Sequence, residues 1–186
     1  MPDLLIVCTA NQCRSPLAEA VLQRRLSRQG TDALVHSAGL YEGGRPATED
    51  ARAVAAGAGL DLSRHRSTEV SAELVGAADL VIAMARCHAR ELMVLVPDAW
   101  ERTFPLKELV RRAERAGGRR LGQPLVAWLE LLNAERSRES LLPDGPDDDV
   151  ADPVGLGLDA YRRTYREIDD LMARLVPLLA PPPPPA

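Results

Sequence analysis

The chain has 186 residues, a formal net charge of −4, 46% hydrophobic residues and only 3% aromatic ones. That length supports one domain with its own core, and the mild acidity excludes the electrostatic footprint of a nucleic-acid or anionic-membrane binder. An odd number of cysteines, no apolar run of membrane-spanning length and a start, Met1-Pro2-Asp3, without a basic and apolar leader lead us to expect a cytoplasmic protein, neither a disulfide framework nor a membrane protein.

Leu4 to Val7 form an apolar run that reads as a strand, and the polar stretch Cys8-Thr9-Ala10-Asn11-Gln12-Cys13-Arg14-Ser15 follows it. Leu17, Val21, Leu22 and Leu26 then recur at helical spacing. They predict a helix from about Ser15 to Gln29, with Ser15 as N-cap, Pro16 at the first helical position and Gly30 as the stop. A short strand over Leu34 to Ser37 ends at Ala38-Gly39, and the loop Tyr41 to Pro46 leads to a second helix from about Thr48 to Gly57. Asp61 to Ser71 reads as irregular structure, Ala78 to Met84 as a buried strand and Arg86 to Val96 as the helix behind it. Strands alternating with helices predict an α/β fold. We expect a single three-layer domain over residues 1–180, with a central parallel sheet of about four strands, helices on both faces and a phosphate-binding loop after strand 1.

Trp100 to Thr103 predicts one more short strand, ahead of a basic helix from Leu106 to Arg115. Leu125, Trp128, Leu129, Leu131 and Leu132 predict an amphipathic helix that packs within a long connection at about 111–149, and Pro143 to Asp149 reads as an exposed acidic loop. The last helix is expected from about Leu158 to Leu179, with an apolar stripe of Tyr161, Tyr165, Ile168, Met172, Leu175 and Leu179. Residues 181–186 read as a disordered proline-rich tail. Lys107 is the single lysine among 23 basic residues. Arginine grips phosphate bidentately, but these arginines are spread along the chain in the manner of a coding bias.

A loop between a strand end and a helix N-terminus offers unpaired N–H groups and the positive end of a helix dipole to an oxyanion. Cys8 opens this loop and Arg14 closes it, a Cys-x5-Arg spacing. Cysteine attacks as the thiolate, which a neighbouring guanidinium and a helix N-terminus both favour, and the arginine fork suits phosphate oxygens. The reaction that fits is phosphoryl transfer, with Thr9, Ala10, Asn11, Gln12, Cys13 and Ser15 around the phosphate and Cys8 attacking phosphorus. It needs neither a metal nor an organic cofactor. The leaving group needs a proton, for which Asp152, followed by Pro153, is the candidate acid; Asp147, Asp148 and Asp149 remain competitors on spacing alone.

Together these residues resemble the low-molecular-weight protein tyrosine phosphatase family of bacterial type. The likeness runs through Val7-Cys8, Asn11, Cys13-Arg14-Ser15-Pro16 and Ala18-Glu19-Ala20, and continues in Ser37-Ala38-Gly39, Pro46, His65-Arg66, Ala78-Asp79-Leu80 with Ala83-Met84, and Asp152-Pro153 ahead of Tyr161-Arg162 and Tyr165. It implies a protein tyrosine phosphatase that works through a phosphocysteine, with Cys8 as nucleophile, Arg14 as clamp and Asp152 as general acid and then base. It also implies that Asn11, Ser15, Ser37 and His65 hold the loop open, and that Cys13 forms a reversible disulfide with Cys8. His36 and His88 are expected to be structural or exposed, and Cys87 a passive helix residue.

The chain departs from the tyrosine-specific pattern in three places. Tyr41 is the one aromatic in the loop after Gly39, Val154 follows Asp152-Pro153, and Gln12 stands where tyrosine phosphatases carry an apolar residue. A phosphorylated protein is the expected partner, with phosphotyrosine first. A protein-arginine phosphatase, a thiol-dependent arsenate reductase and a silent phosphoprotein-binding module are the alternatives. Arsenate reduction needs two relay cysteines, and only Cys87 lies outside the loop.

Overall fold

The computed structural model describes residues 1–180, so the proline tail lies outside the described residues. Four strands form one parallel sheet in the order β2-β1-β3-β4: β1 (Asp3–Cys8), β2 (Leu34–Gly39), β3 (Leu80–Ala83) and β4 (Thr103–Pro105). β1 is central, paired with β2 from Asp3 opposite Leu34 to Cys8 opposite Gly39, and with β3 from Leu4 opposite Leu80 to Val7 opposite Ala83. Leu4 to Cys8 are all buried, which is how a strand covered on both faces reads as an unbroken apolar run.

Side-chain alternation along β1 divides the core in two. Leu4, Ile6 and Cys8 point to the larger cluster, built with α1 (Arg14–Arg28), α5 (Leu106–Ala116), α6 (Leu125–Leu132) and α7 (Leu158–Leu179). Leu5 and Val7 point to a smaller one with Val75 of α3 (Ala72–Ala77) and Leu92 of α4 (Arg86–Leu95). Helix α2 (Glu49–Gly57) is capped by Thr48, whose hydroxyl accepts from the Ala51 amide, and packs against α7. Tyr161, Ile168, Met172, Leu175 and Leu179 of α7 are buried as the stripe predicts, whereas Tyr165 is only partly so. Among the described residues, no helix is long and apolar enough to cross a membrane.

Three expectations need correction, and one short helix was not anticipated. Helix α1 begins at Arg14 rather than at an N-cap Ser15, and Cys13 occupies the cap position without a side-chain hydrogen bond. The Ser15 hydroxyl is committed elsewhere, to Cys8 and Asn11. Asp61 to Ser71 is irregular as expected, but it is followed by the short helix α3, which Ser71 caps through the Leu74 amide. Trp100 to Thr103 is not a strand: Pro97 starts a 3-10 turn that runs to Arg102, and β4 begins only at Thr103.

Finally, Pro143 to Asp149 is not simply an exposed loop. Asp148 is buried between Arg86 at 2.7 Å and Arg111 at 2.5 Å, and the Asp149 carboxylate accepts from the Arg86 backbone amide, capping α4 from a distance. A carboxylate can be taken out of water when two guanidinium groups replace its hydration. The connection is held down throughout in this way. Trp128 is fully buried and its indole N–H donates to the Gly117 carbonyl, so α6 packs, as expected. Arg136 is buried against Phe104, with its guanidinium 4.0 Å from the ring centroid, and meets Glu108 at 3.1 Å.

His88 in the first turn of α4 is 1% exposed, and its Nδ1 has no partner among the described residues. Burial, reinforced by the charge of Arg14, pushes its pKa down to about 4, so the ring is neutral at pH 7. An unfolded histidine takes up a proton below about pH 6.5; the folded state therefore loses stability as pH falls from about 6.5 towards 4, by up to about 3 kcal/mol, and no further from this source below that. Urea unfolding at pH 7.5 and pH 5.0 should show a larger acid loss in the wild type than in His88→Gln. Parallel losses in the two proteins would contradict the assignment.

Candidate active site

The C-terminal end of β1 and the N-terminus of α1 leave the loop from Cys8 to Ser15 between them, at the edge where ligands of parallel sheets are found. Among the described residues, no protein acceptor takes the backbone N–H groups from Ala10 to Ser15. With the uncapped start of α1, they form a run of free donors suited to an anion. Asn11 sits at the bend with φ of 51°, a left-handed conformation that asparagine tolerates better than most residues. Its side chain makes the bend permanent: Nδ2 donates to Ser15 Oγ at 2.9 Å and to Ser37 Oγ at 2.7 Å, while Oδ1 accepts from the Thr68 amide at 2.9 Å. His65 Nε2 lies 2.7 Å from the Asn11 carbonyl oxygen. Gly39 stands behind the bend, where an added Cβ would come within 2.7 Å of the Asn11 nitrogen. Only glycine permits that approach.

Cys8 is 3% exposed, and its sulfur lies 3.0 Å from Ser15 Oγ. Arg14 is also buried. Its Nη1 donates to the Val150 carbonyl at 3.2 Å, and its Nη2 donates to Thr9 Oγ1 at 3.1 Å and to Asp152 Oδ2 at 2.5 Å. Asp152 is far more exposed than its partner, its carboxylate side chain being 45% accessible. Burial pushes the Cys13 thiol well above the ordinary range, with Cys8 and Asp152 adding to the effect. Burial raises Tyr161 too, against the opposing hydrogen bond from Thr48. Among the described residues, no group of His, Cys, Asp or Glu side chains is arranged to hold a metal ion. A cavity of about 520 Å³ lined by Asp79, Glu101, Arg102 and Asn133 lies at the other end of the sheet, where β3 and β4 begin. It has no part in this arrangement.

The structure thus gathers the site residues around the loop in two hydrogen-bonded networks, Cys8, Ser15, Asn11, Ser37 and His65 in one and Thr9, Arg14 and Asp152 in the other. The Gln12 carbonyl accepts from the Thr48 amide, so its backbone ties the loop to the cap of α2. Tyr41 is 62% exposed and meets the loop through its amide, which donates to the Thr9 carbonyl. Of the competing acids, Asp148 and Asp149 are committed to Arg86, and Asp148 also to Arg111. Cys87 is exposed on α4.

Sequence reasoning missed three members of these networks. Glu19 accepts from Ser37 Oγ at 2.5 Å, and its position four residues after Ser15, on the same helical face, was the available signal. The Val150 carbonyl carries no signal in side-chain identity. His88, expected to be structural or exposed, lies with Nε2 at 2.9 Å from Thr9 Oγ1; its one sequence clue is that it follows the end of a strand that neighbours β1.

Comparison with known proteins agrees with this geometry. The model of the family described as low molecular weight phosphotyrosine protein phosphatase matches residues 3–121. A protein-arginine-phosphatase from Geobacillus stearothermophilus is 30% identical over 92% of this chain and 92% of its own length. The low molecular weight protein-tyrosine-phosphatase Etp of Escherichia coli (strain K12) is 32% identical over 60% of this chain and 74% of its own. Among solved structures, a low molecular weight protein tyrosine phosphatase from T. tengcongensis superposes with a TM-score of 0.71 at 30% identity, covering 95% of this chain and 98% of that one. The family match and the end-to-end likeness settle the membership that the loop suggested: the chain belongs to the low molecular weight phosphotyrosine protein phosphatase family, a family of cysteine-dependent hydrolases.

Proposed function

We propose that the chain is a cytoplasmic protein phosphatase that hydrolyses phosphorylated side chains without a metal, through a phosphocysteine on Cys8, with phosphotyrosine as its first substrate. The observation that carries this reading is the run of amides from Ala10 to Ser15, unpartnered among the described residues, that follows Cys8 and includes Arg14. The amides of this loop and the Arg14 fork hold the phosphoryl oxygens, which places phosphorus before the Cys8 sulfur. Ser15 Oγ, 3.0 Å from that sulfur, donates to the thiolate. The Cys8 thiolate forms a bond to phosphorus as the bond from phosphorus to the substrate oxygen breaks, and Asp152 gives its proton to the departing oxygen. Asp152, now a carboxylate, takes a proton from the water that attacks phosphorus, releasing phosphate and restoring the thiolate.

Arg14 and Asp152 form an ion pair. A bound phosphate takes over the Arg14 donors and releases Asp152 to face the departing oxygen. Asn11, Ser37 and His65 hold the loop, and Tyr41 stands at its rim. Cys13 has a reserve role: after peroxide converts Cys8 to a sulfenic acid, the Cys13 thiol condenses with it to a disulfide and releases water. A second reading, phosphoarginine as substrate, draws on Gln12 in the loop, on Val154 rather than an aromatic after Asp152-Pro153, and on the end-to-end likeness to a protein-arginine-phosphatase.

Purified enzyme should hydrolyse p-nitrophenyl phosphate in the presence of EDTA, and Cys8→Ser should reduce kcat by at least about 10³-fold; turnover surviving that change would remove the nucleophile from the mechanism. Asp152→Asn should slow phenyl phosphate about 10²-fold or more while p-nitrophenyl phosphate, with its better leaving group, suffers much less. Equal losses on the two would mean that another group is the acid. A peptide panel carrying phosphotyrosine, phosphoserine or phosphoarginine should give its highest kcat/KM with phosphotyrosine. A preference for phosphoarginine would replace the first reading by the second without touching the mechanism.

A further inference from the structure

His88 is a buried, neutral, titratable side chain that the catalytic steps above do not use. It comes from α4, on the opposite face of the sheet from α1, yet its Nε2 lies 2.9 Å from the hydroxyl of Thr9, the residue next to the nucleophile. That hydroxyl also accepts from Arg14 Nη2 at 3.1 Å. The Thr9 main chain is fixed independently, since its carbonyl accepts from the amides of Leu40 and Tyr41. The one free variable at this point is therefore the direction of the hydroxyl proton.

The imidazole decides that direction. Nδ1 of His88 is buried without a partner among the described residues. A proton placed there would be a buried donor with nothing to bond, which native structures avoid more strictly than an under-used acceptor. The proton therefore sits on Nε2 and is donated to Thr9 Oγ1. Thr9 Oγ1 then accepts twice, from His88 and from Arg14, and a hydroxyl has two acceptor sites and one proton. Its own proton is left as a donor on the side facing neither partner.

We propose that His88 is a positioning residue for phosphoryl transfer: by donating to Thr9 it fixes the Thr9 hydroxyl as the anchor of the Arg14 guanidinium and leaves the hydroxyl proton for a phosphoryl oxygen in the loop. This rests on the phosphatase reading above and extends the site to a second helix. Burial and the Arg14 charge keep the ring neutral, which preserves this donor arrangement across the neutral pH range. Arg14 needs such an anchor because its other Nη2 partner, Asp152, has to leave it to act as acid. With Thr9 held from behind, the guanidinium keeps its plane when Asp152 moves.

The test uses the full-length enzyme, p-nitrophenyl phosphate as substrate and orthovanadate as a phosphate-like inhibitor. His88→Leu should lower kcat/KM about ten- to a hundredfold and weaken vanadate inhibition similarly, because the buried donor to Thr9 is lost. His88→Gln, whose amide nitrogen can reach the place of Nε2, should return kcat/KM to within a few-fold of wild type. Thr9→Val, which leaves His88 untouched, should reproduce the Leu defect, and the double variant should be no worse than either single one. If His88→Leu fails to fold, the Gln and Val variants still decide the matter. A folded Gln variant as poor as the Leu variant, multiplicative losses in the double variant, or a Thr9→Val enzyme with wild-type kcat/KM and vanadate inhibition would each overturn the proposal. Absence of turnover in the wild type would instead count against the phosphatase reading itself.

Discussion

The conformation of one residue, Asn11, underlies the shape of the whole phosphate loop. A chain leaving β1 and entering α1 within a few residues must turn sharply, and it does so at a φ that costs a non-glycine residue free energy. That cost is met by an amide side chain whose bonds tie together α1 through Ser15, β2 through Ser37 and the irregular stretch before α3 through Thr68. The backbone amides from Ala10 to Ser15 are thereby left facing no protein acceptor among the described residues. Pre-organised donors of this kind need no rearrangement when charge develops, and this is where electrostatic catalysis gains most. Gly39 is the complement of the same constraint, since the turn fits only against a residue without a Cβ.

Arginine performs a different task elsewhere. The scatter of basic residues reads from sequence as compositional bias, but many of the guanidinium groups close gaps that backbone leaves open. Arg136 donates to the Trp100 and Thr103 carbonyls as well as to Glu108. Arg86 reaches the Ser140 carbonyl and Asp148, and Arg112 reaches the Leu132 carbonyl and Glu108. A five-donor planar group can bridge several orphaned carbonyls and a carboxylate at once. The long connection is thus pinned between its short helical pieces, and the residues that follow its final turn bring Val150 and Asp152 to Arg14.

Most of the fold was legible because it rests on local signals. The unbroken apolar run of β1, the helical spacing of Leu17 to Leu26 and the stripe along α7 each report burial directly in residue type. What failed depends on long-range partners. Ser15 is a good N-cap by type, but a neighbouring thiol and amide claim its hydroxyl. Asp148 is a surface residue by type, and becomes a buried one only because Arg86 and Arg111 come from other elements. In the site, Cys8 and Arg14 could be singled out by the strand, polar loop and helix start around them, and Asp152 by the family resemblance, since Asp147 to Asp149 compete with it on spacing. His88 could not, since its connection to Thr9 follows from α4 lying over the sheet opposite α1, a fact of packing rather than of pattern.

The pairing of Arg14 with Asp152 joins residues 138 positions apart, and that separation orders events as the protein is made. Cys8, the loop and Arg14 leave the ribosome well before Asp152. The acid emerges only after the sheet, α5, α6 and the arginine-pinned connection have been synthesised. Asn11 leans on Ser37 and Thr68, and α1 on α7, so the loop gains its supports only as those later segments join it. Arg14 meets its carboxylate partner only once the chain has passed Asp152.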